Sequence, residues 1–435
     1  AIKKLLMPNI KSMQAIQVFD SRGTPTISCK VDLESGASFT SMVPSGASTG
    51  SREALELRDG GENYMGKGVQ KAIDNIHHKI APALMGMDAT NQKLIDDRMI
   101  SLDGSEAKSN LGANAILGVS LAVLGAGANV TGVPLYQYVN QVFNNINSVK
   151  LEMKMPVPML NIINGGEHAD NNIDIQEFMI MPIGANSFSQ AMQWATEIYA
   201  GLKNLLKDQN LSTGVGDEGG FAPNLASNDK AIDLIIQSIK NNNLRPGIDV
   251  SLALDCAATE FYQDNLYHLK GESSSLNSNE FSKYLESLAS RFPIVSIEDG
   301  MDESDFMGWK ILTESLGATC QLVGDDLFVT NAKDLQRGID ESLGNSILIK
   351  FNQIGTITET MQTIHLANVN NFTSVISHRS GETEDSIIAD ICVGLGTGQI
   401  KTGAPCRSDR VAKYNRLLWI EAQNRDLTFA QNVFS

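Results

Sequence analysis

Six short apolar runs between residues 251 and 401 each end on a polar residue. The runs are rich in Val, Ile and Leu and show no polar alternation, which is typical of parallel strands that are buried on both faces. Successive polar ends are 23 to 43 residues apart, enough for a strand, a helix and two loops. The pattern predicts a β/α barrel of the TIM type. Its polar strand ends are Asp255, Glu298, Asp325, Lys350, His378 and Lys401.

In such barrels the carboxyl ends of the strands form one face, and this face carries the chemistry. We therefore expect the six polar residues to converge on one barrel mouth. Asp255, Glu298 and Asp325 would offer three hard oxygen ligands, which suit Mg²⁺. A carboxylate after a strand can instead cap the next helix, but three at consecutive strand ends favour a metal site.

The remaining strand ends predict a base and an anion site. Lys350 would be drawn into the barrel mouth, where nearby cations would lower its pKa and make it available as a base. The alternative is a salt bridge from Lys350 to one of the carboxylates. His378, Arg379 and Ser380 place a planar cation and a hydroxyl after a strand, which suits phosphate or carboxylate, although an isolated His-Arg pair is more often a surface feature.

A different pattern precedes the barrel. Residues 26–34 alternate between apolar and polar side chains, as in a half-exposed antiparallel strand, and residues 34–37 predict a hairpin turn. The small, polar segment 44–53 is either a mobile active-site loop or an ordinary loop that leads into a helix beginning at EALELR; composition favours the ordinary loop. With the helical periodicity that follows, these elements predict an α+β N-terminal domain over residues 1–150 and the barrel over residues 151–435.

One uncharged segment resembles a membrane span. Residues 109–149 contain no Asp, Glu, Lys, Arg or His. Asn114, Ser120, Asn129 and frequent glycines oppose a span, and no second candidate exists, so a buried helix and no membrane span are expected. The first twelve residues lack an apolar stretch of signal-peptide length, so we expect no secretory signal.

The composition of the chain excludes some classes of function. The chain has 34 basic and 50 acidic residues and a net charge of −16, which argues against nucleic acid as the main partner. Its five cysteines form no C-x-x-C pair, so free thiols and a cytoplasmic location are expected and zinc is improbable. GVGDEGG satisfies the glycine spacing of a dinucleotide site, but Asp217 and Glu218 would place negative charge where a pyrophosphate must bind, so we reject that interpretation.

Nine motifs, in this order along the chain, make it similar to the enolase family, and their sequences most resemble those of bacterial members. They are SGASTG, NGGEHADNNIDIQEFMI, VGDEGGFAPN, LDCAATEF, SIEDGMDESD, LVGDDLFVTN, LIKFNQIGT, ISHRSGETED and IKTG. The resemblance covers nearly the whole chain. It implies an α+β N-terminal capping domain on a variant barrel whose second strand is antiparallel. It also implies a reversible, Mg²⁺-dependent dehydration of 2-phosphoglycerate to phosphoenolpyruvate. It also implies a homodimer or a dimer-based higher oligomer and a cytoplasmic location, although some members also occur at the cell surface.

The same resemblance implies a role for each matching residue. Asp255, Glu298 and Asp325 match the ligands of the tighter Mg²⁺, and Ser48 matches a ligand of a second, substrate-dependent Mg²⁺. Lys350 matches the base that removes the C2 proton. The other matches are Glu218 with Glu177 as the acid that assists loss of the C3 hydroxyl, Arg379 and Ser380 as phosphate contacts, Lys401 as a carboxylate contact, and His168 and His378 as further active-site positions. A sugar-acid dehydratase of the same superfamily is the rival, but its substrate lacks the phosphate.

Overall fold

The computed structural model describes residues 7–46 and 49–431. Its first element along the chain is a three-stranded antiparallel sheet. Its strands are β1 (Ile10–Phe19), β2 (Pro25–Leu33) and β3 (Ser38–Met42), in the order β1-β2-β3. The apolar positions of β2 are buried, as the alternation predicts. The predicted hairpin turn is confirmed between β2 and β3, where Gly36 has a φ of 92°.

Helices cover this sheet and complete the N-terminal domain. They are α1 (Gln70–Asn75), which continues through a π-helical turn (Ile76–Ile80) into α2 (Ala81–Leu84), then α3 (Gln92–Asp103), α4 (Ala113–Thr131) and α5 (Leu135–Asn147). The uncharged segment contains the whole of α4 and α5. Helix α4 is long and apolar enough to cross a membrane, but 94% of its apolar window is buried inside the protein, which confirms the prediction of a buried helix.

The prediction of a helix that begins at EALELR is wrong, because residues 53–58 form an irregular segment. Its backbone N–H groups have tertiary partners instead of the carbonyls of a preceding turn. Ala54 donates to the Gln353 carbonyl at 2.9 Å, and Leu55 donates to the Ala107 carbonyl at 2.8 Å. Leu57 donates to the side chain of Asn114 at 3.0 Å. These contacts outweigh the helix propensity of the sequence.

Eight strands then close into a barrel, in the order β4-β5-β6-β10-β11-β12-β13-β14 with β14 beside β4. They are β4 (Val157–Asn164), β5 (Glu177–Met181), β6 (Ser251–Asp255), β10 (Ile294–Glu298), β11 (Gln321–Gly324), β12 (Ser346–Ile349), β13 (Thr373–Ser377) and β14 (Gln399–Lys401). β5 is antiparallel to β4 and β6, and the other neighbouring pairs are parallel. This confirms the variant barrel with an antiparallel second strand.

The remaining elements lie between the barrel strands, except α14, which follows the last strand. The helices are α6 (Phe188–Asp208), α7 (Asn228–Asn241), α8 (Ser278–Arg291), α9 (Phe306–Leu316), α10 (Ala332–Glu341), α11 (Phe351–Ile354), α12 (Ile357–Val369), α13 (Ile387–Leu395) and α14 (Ser408–Gln423). A small sheet of β7 (Tyr262–Gln263), β8 (Leu266–Leu269) and β9 (Ser274–Leu276) follows β6. The glycine-spaced segment 214–220 lies between α6 and α7, so the strand–turn–helix order of a dinucleotide site does not occur there in the described chain.

Buried polar contacts join the two parts of the molecule. Asp96 of α3 accepts hydrogen bonds from the backbone N–H of Thr358 at 3.0 Å and from its hydroxyl at 2.7 Å, and Ser120 of α4 accepts from the N–H of Ile357 at 3.0 Å. Both N–H groups belong to the first turn of α12, where a helix has no intrahelical acceptors for them. The domain boundary at residue 150 stays a prediction; the first barrel strand begins at Val157.

Candidate active site

The polar strand ends converge at one mouth of the barrel, as predicted. Asp255, Glu298 and Lys401 are the last residues of their strands, and the other three directly follow theirs. Five of the six line one pocket together with His168, Glu177, Glu218, Arg379 and Ser380. The sixth, Glu298, lies behind them with its Oε2 2.8 Å from Lys401 Nζ. Ser48 lies outside the described residues.

Lys401 is the centre of the carboxylate cluster. Its Nζ is 2.5 Å from Glu177 Oε2, 2.9 Å from Asp255 Oδ2 and 2.8 Å from Glu298 Oε2. Burial lowers the pKa of Lys401, but the carboxylates of Asp255, Glu177 and Glu298 outweigh it, and the pKa is raised well above its ordinary value. The lysine is therefore charged and holds the three strands β5, β6 and β10 together electrostatically.

The three predicted metal ligands offer oxygen donors of the type that suits a hard cation, but in the described part of the chain the groups of ligand atoms that lie within 4.8 Å of one another include only Asp325 of the three. Glu298 is 1% exposed, and its Oε1 has no hydrogen-bond partner among the described residues. Burial and the neighbouring Asp255 carboxylate raise the pKa of Glu298 well above its ordinary value. Three carboxylates with an unsatisfied buried oxygen therefore favour additional positive charge, and an oxygen donor set suits Mg²⁺.

Asp325 also belongs to a second acidic group, which the strand pattern did not predict. One carboxylate oxygen each of Asp299, Asp325 and Asp326 lie within 4.8 Å of one another. The two oxygens of Asp299 accept the backbone N–H groups of Asp325 at 2.9 Å and of Asp326 at 3.0 Å. Asp299 therefore orients the segment that carries the predicted ligand Asp325. Its position directly after Glu298 was the available signal in the sequence.

The predicted lowering of the Lys350 pKa is wrong in this structure. Its Nζ donates to Asp325 Oδ2 at 2.7 Å, which is the salt bridge considered as the alternative. Burial is the largest influence and lowers the pKa of Lys350, but the carboxylates around it, Asp325 first and then Glu298, together leave the net pKa raised. The sequence predicts both residues at the barrel mouth but does not give the distance between their side chains. That distance controls the direction of the pKa shift of Lys350.

Glu177 and Glu218 form the predicted coupled pair. One ligand atom each of His168, Glu177 and Glu218 lie within 4.8 Å of one another. Burial raises the pKa of Glu177 to about 7. Burial also opposes the charge of Glu218, but His168, whose Nδ1 is 2.7 Å from Glu218 Oε1, lowers the pKa of Glu218 to about 2. The two pKa values are split as expected for a coupled pair, but Glu218, the predicted acid, is the member whose pKa is lowered.

His168 and two buried amides complete this proton-holding group. Burial lowers the pKa of His168, but Glu218 outweighs it and the pKa is raised to about 9, so the imidazole is protonated at neutral pH. Two asparagines of β4 hold the carboxylates. Asn161 Nδ2 donates to Glu177 Oε1 at 3.0 Å, and Asn164 Nδ2 donates to Glu218 Oε2 at 2.7 Å. Sequence analysis missed both asparagines, which carried no signal apart from their place in the motif-bearing strand.

The segment 44–53 reaches the site, which contradicts its interpretation as an ordinary loop. Glu53 receives a two-pronged contact from the Arg379 guanidinium, with both N···O distances 3.2 Å. Arg379 also donates to Asn352 Oδ1 at 3.1 Å. A side chain at Gly46 would overlap the same guanidinium, so the glycine permits this close approach. Glu53 is therefore a site residue that composition alone did not identify.

Arg410 of α14 is a further residue that the sequence analysis missed. It donates to the carbonyls of Arg379 and Ser380, each at 2.7 Å, and contacts His378 Nδ1. Burial, followed by the Arg410 charge, lowers the pKa of His378 well below its ordinary value. Nothing in the residue pattern of α14 separates Arg410 from the other basic residues of this helix.

Two family models match the chain. The model described as the enolase N-terminal domain matches residues 10–139. The model described as the enolase C-terminal TIM barrel domain matches residues 152–431. Together the matches cover both parts of the fold and nearly all of the described residues.

Proposed function

Because the chain belongs to the enolase family, we propose that it catalyses the reversible dehydration of 2-phosphoglycerate to phosphoenolpyruvate and water, a step of glycolysis and gluconeogenesis. The observation that supports this reaction is a single pocket lined by a lysine, a coupled carboxylate pair and the cation Arg379. These groups are the base, the acid and the phosphate contact that the reaction requires.

Proton removal is the first requirement. The C2 proton lies next to a carboxylate and is a very weak acid, so its removal needs a positioned base and stabilisation of the charge that develops. Lys350 Nζ is the proposed base; it must be neutral to accept the proton, and the positive charge of bound Mg²⁺ would lower its raised pKa. Mg²⁺ held by Asp255, Glu298 and Asp325, with a second, substrate-dependent ion that uses Ser48, would supply the positive charge that stabilises the substrate carboxylate. Asp325 holds the Lys350 side chain in place at 2.7 Å.

Loss of the C3 hydroxyl is the second requirement, since hydroxide is a poor leaving group. Glu218 is the proposed acid, with Glu177 beside it. Because Glu218 itself is ionised, its proton must come from a neighbour, and the protonated His168 is 2.7 Å away. Glu177, whose pKa is raised to about 7, is a second proton donor within the same group of residues. Asn164 keeps the Glu218 carboxylate oriented throughout.

Substrate binding supports a phosphorylated acid over a sugar acid. Arg379, with Ser380 beside it, is the proposed phosphate contact, and Lys401 is the proposed contact for the substrate carboxylate. Arg379 is buried and faces Glu53, so an entering phosphate would compete with this carboxylate for the guanidinium. His168, Glu177 and His378 complete the proposed substrate-binding set. A sugar acid has no group of comparable charge to bind there.

We also propose a cytoplasmic enzyme that forms a homodimer or a dimer-based oligomer. The five cysteines are free, and four of them are buried, which is compatible with a reducing compartment. Family membership supports the dimeric assembly. Sedimentation of the purified protein would measure the oligomeric state.

The test of the proposed reaction is ultraviolet absorbance of the purified chain with 2-phosphoglycerate and Mg²⁺. We expect phosphoenolpyruvate to accumulate, excess EDTA to stop its formation, and added Mg²⁺ to restore it. A panel of unphosphorylated sugar acids tests the rival reaction under the same conditions. Turnover of a sugar acid without turnover of 2-phosphoglycerate would replace the proposed function, and full turnover in EDTA would remove the metal from it.

A further inference from the structure

Arg410 is a fully buried cation in the first turn of α14. A buried guanidinium is unfavourable unless its N–H groups are paired. Its Nε lies 2.9 Å from Asp409 Oδ2, which compensates part of the charge. The other two nitrogens point to groups of the active site, not to solvent or to the helix of Arg410.

These nitrogens join two separate active-site segments. Nη1 donates to the Arg379 carbonyl at 2.7 Å, and Nη2 donates to the Ser380 carbonyl at 2.7 Å and to the Asp217 carbonyl at 3.2 Å. One segment carries the proposed phosphate contacts and the other leads directly into Glu218. A planar guanidinium has its donors in fixed directions, so it sets the relative position of the two segments as well as their distance.

The contact with His378 determines the form of that imidazole. Arg410 Nη1 contacts His378 Nδ1. A guanidinium has donors and no acceptor, so Nδ1 must offer its lone pair, and the single ring proton must be on Nε2. A protonated ring would place an N–H against an N–H. The charges facing His378 are Arg410, Lys401, Lys350 and His168, and all of them oppose its protonation.

We propose that Arg410 is a positioning residue that holds His378 as the neutral Nε2–H tautomer and aligns the 378–380 segment with the loop of Glu218. In this arrangement His378 offers a neutral N–H donor to a ligand in the pocket that it lines. The inference rests on the proposed function only for what that ligand is; the tautomer and the alignment follow from the contacts of Arg410.

The experiment is ¹⁵N NMR of the histidine rings together with steady-state kinetics. In the wild type we expect the His378 signals of a protonated Nε2 and an unprotonated Nδ1, unchanged between pH 6 and pH 9. The variant His378→Asn assigns the signals among the six histidines. Arg410→Gln removes the planar guanidinium, so His378 should then titrate or populate the other tautomer. The value of kcat/KM for 2-phosphoglycerate should fall by roughly 10- to 100-fold.

The matched control is Arg416→Gln on the same helix, which breaks the 2.8 Å ion pair with Asp390 outside the site. It should leave both the His378 signals and kcat/KM unchanged. A wild-type ring protonated on Nδ1 would overturn the assignment, even if Arg410→Gln does not fold. Unchanged His378 signals in a folded Arg410→Gln protein would overturn it as well. Absence of wild-type turnover would contradict the proposed reaction, which the NMR result does not depend on.

Discussion

At the scale of single residues, Lys350 and Glu218 divide the proposed reaction into two proton transfers. Lys350→Ala should abolish both dehydration and exchange of the C2 proton with solvent, because no other group is proposed to remove that proton. Glu218→Gln should lower the rate of dehydration by at least roughly 10²- to 10⁴-fold, which is the usual contribution of a positioned acid. Exchange of the C2 proton should stay measurable in this variant. Proton NMR of 2-phosphoglycerate in D₂O measures both processes for each variant.

The two variants also test the order of the steps. Both residues are buried among charged partners, so circular dichroism must first show that each variant is folded. Exchange that survives in Lys350→Ala but disappears in Glu218→Gln would reverse the two roles. Loss of exchange in both would mean that Glu218 is also needed to arrange the base, through His168 or the surrounding charges.

At the scale of elements, two glycines of α4 experience different packing within one helix. A methyl group on Gly125 would overlap the ring of Phe39, whereas one on Gly118 would be 3.4 Å from Val43 Cγ2, an ordinary contact. Ala is favoured over Gly inside a helix by about 1 kcal/mol, so Gly118→Ala should be neutral or stabilising. Gly125→Ala should destabilise by about 1 to 3 kcal/mol, because overpacking outweighs propensity.

Urea unfolding of the two variants measures this difference directly, since the residue change and the helix are the same. A Gly125→Ala protein as stable as Gly118→Ala would mean that Phe39 moves aside without cost. The side of α4 that faces β3 would then be less tightly packed than the structure indicates.

The loops around the mouth are elements whose movement is predicted from their small, polar composition. They are residues 44–50, 165–170 and 271–277, although positions 47 and 48 lie outside the described residues and 274–276 form β9. Substrate with Mg²⁺ should increase amide protection in them, because closure excludes water and completes the site. Hydrogen exchange with and without both ligands is the measurement. Equal exchange in all three segments under the two conditions would contradict closure.

Asp174, four residues after the second segment, already contacts the start of the third. Its carboxylate accepts the backbone N–H groups of Lys270 and Gly271, each at 3.0 Å. Asp174→Ala should therefore increase exchange near residue 271 even without ligand, which gives the loop experiment an internal control.

At the scale of the whole molecule, Asp96 links the N-terminal domain to the barrel helix α12. Burial raises its pKa from 3.8 to about 6, more than the hydrogen bonds from Thr358, Ser120 and Gln92 lower it. The folded protein therefore binds this proton more tightly than the unfolded chain does. The resulting contribution to stability is present below pH 4 and is lost as pH rises through about 6, with a total of roughly 3 kcal/mol.

Asp96→Asn isolates this term. The variant should be less stable than the wild type, because an amide cannot accept all of the same hydrogen bonds, and its deficit in unfolding free energy should be larger at pH 4.5 than at pH 7. Urea unfolding at both values measures the deficit. A larger deficit at pH 7 would mean that the hydrogen bonds, not burial, control the pKa of Asp96.

Features that depend on local periodicity could be predicted from the amino-acid sequence. Uninterrupted apolar runs predicted strands buried on both faces, and their polar ends met at one mouth because parallel strands share an orientation. The alternation of β2 and the uncharged run of α4 were equally readable, since each pattern shows which side chains must avoid water. The ordered motifs indicated the family and, through it, the antiparallel second barrel strand.

Features that depend on distances between residues remote in the chain became visible in the folded structure alone. Residues 53–58 are not helical because Gln353 and Ala107 take their backbone N–H groups. The pKa of Lys350 is raised because Asp325 is 2.7 Å away. Glu53 and Arg410 enter the site from segments hundreds of residues apart in the chain. Electrostatic and hydrogen-bond energies vary over ångströms, and no local pattern in a sequence encodes such distances.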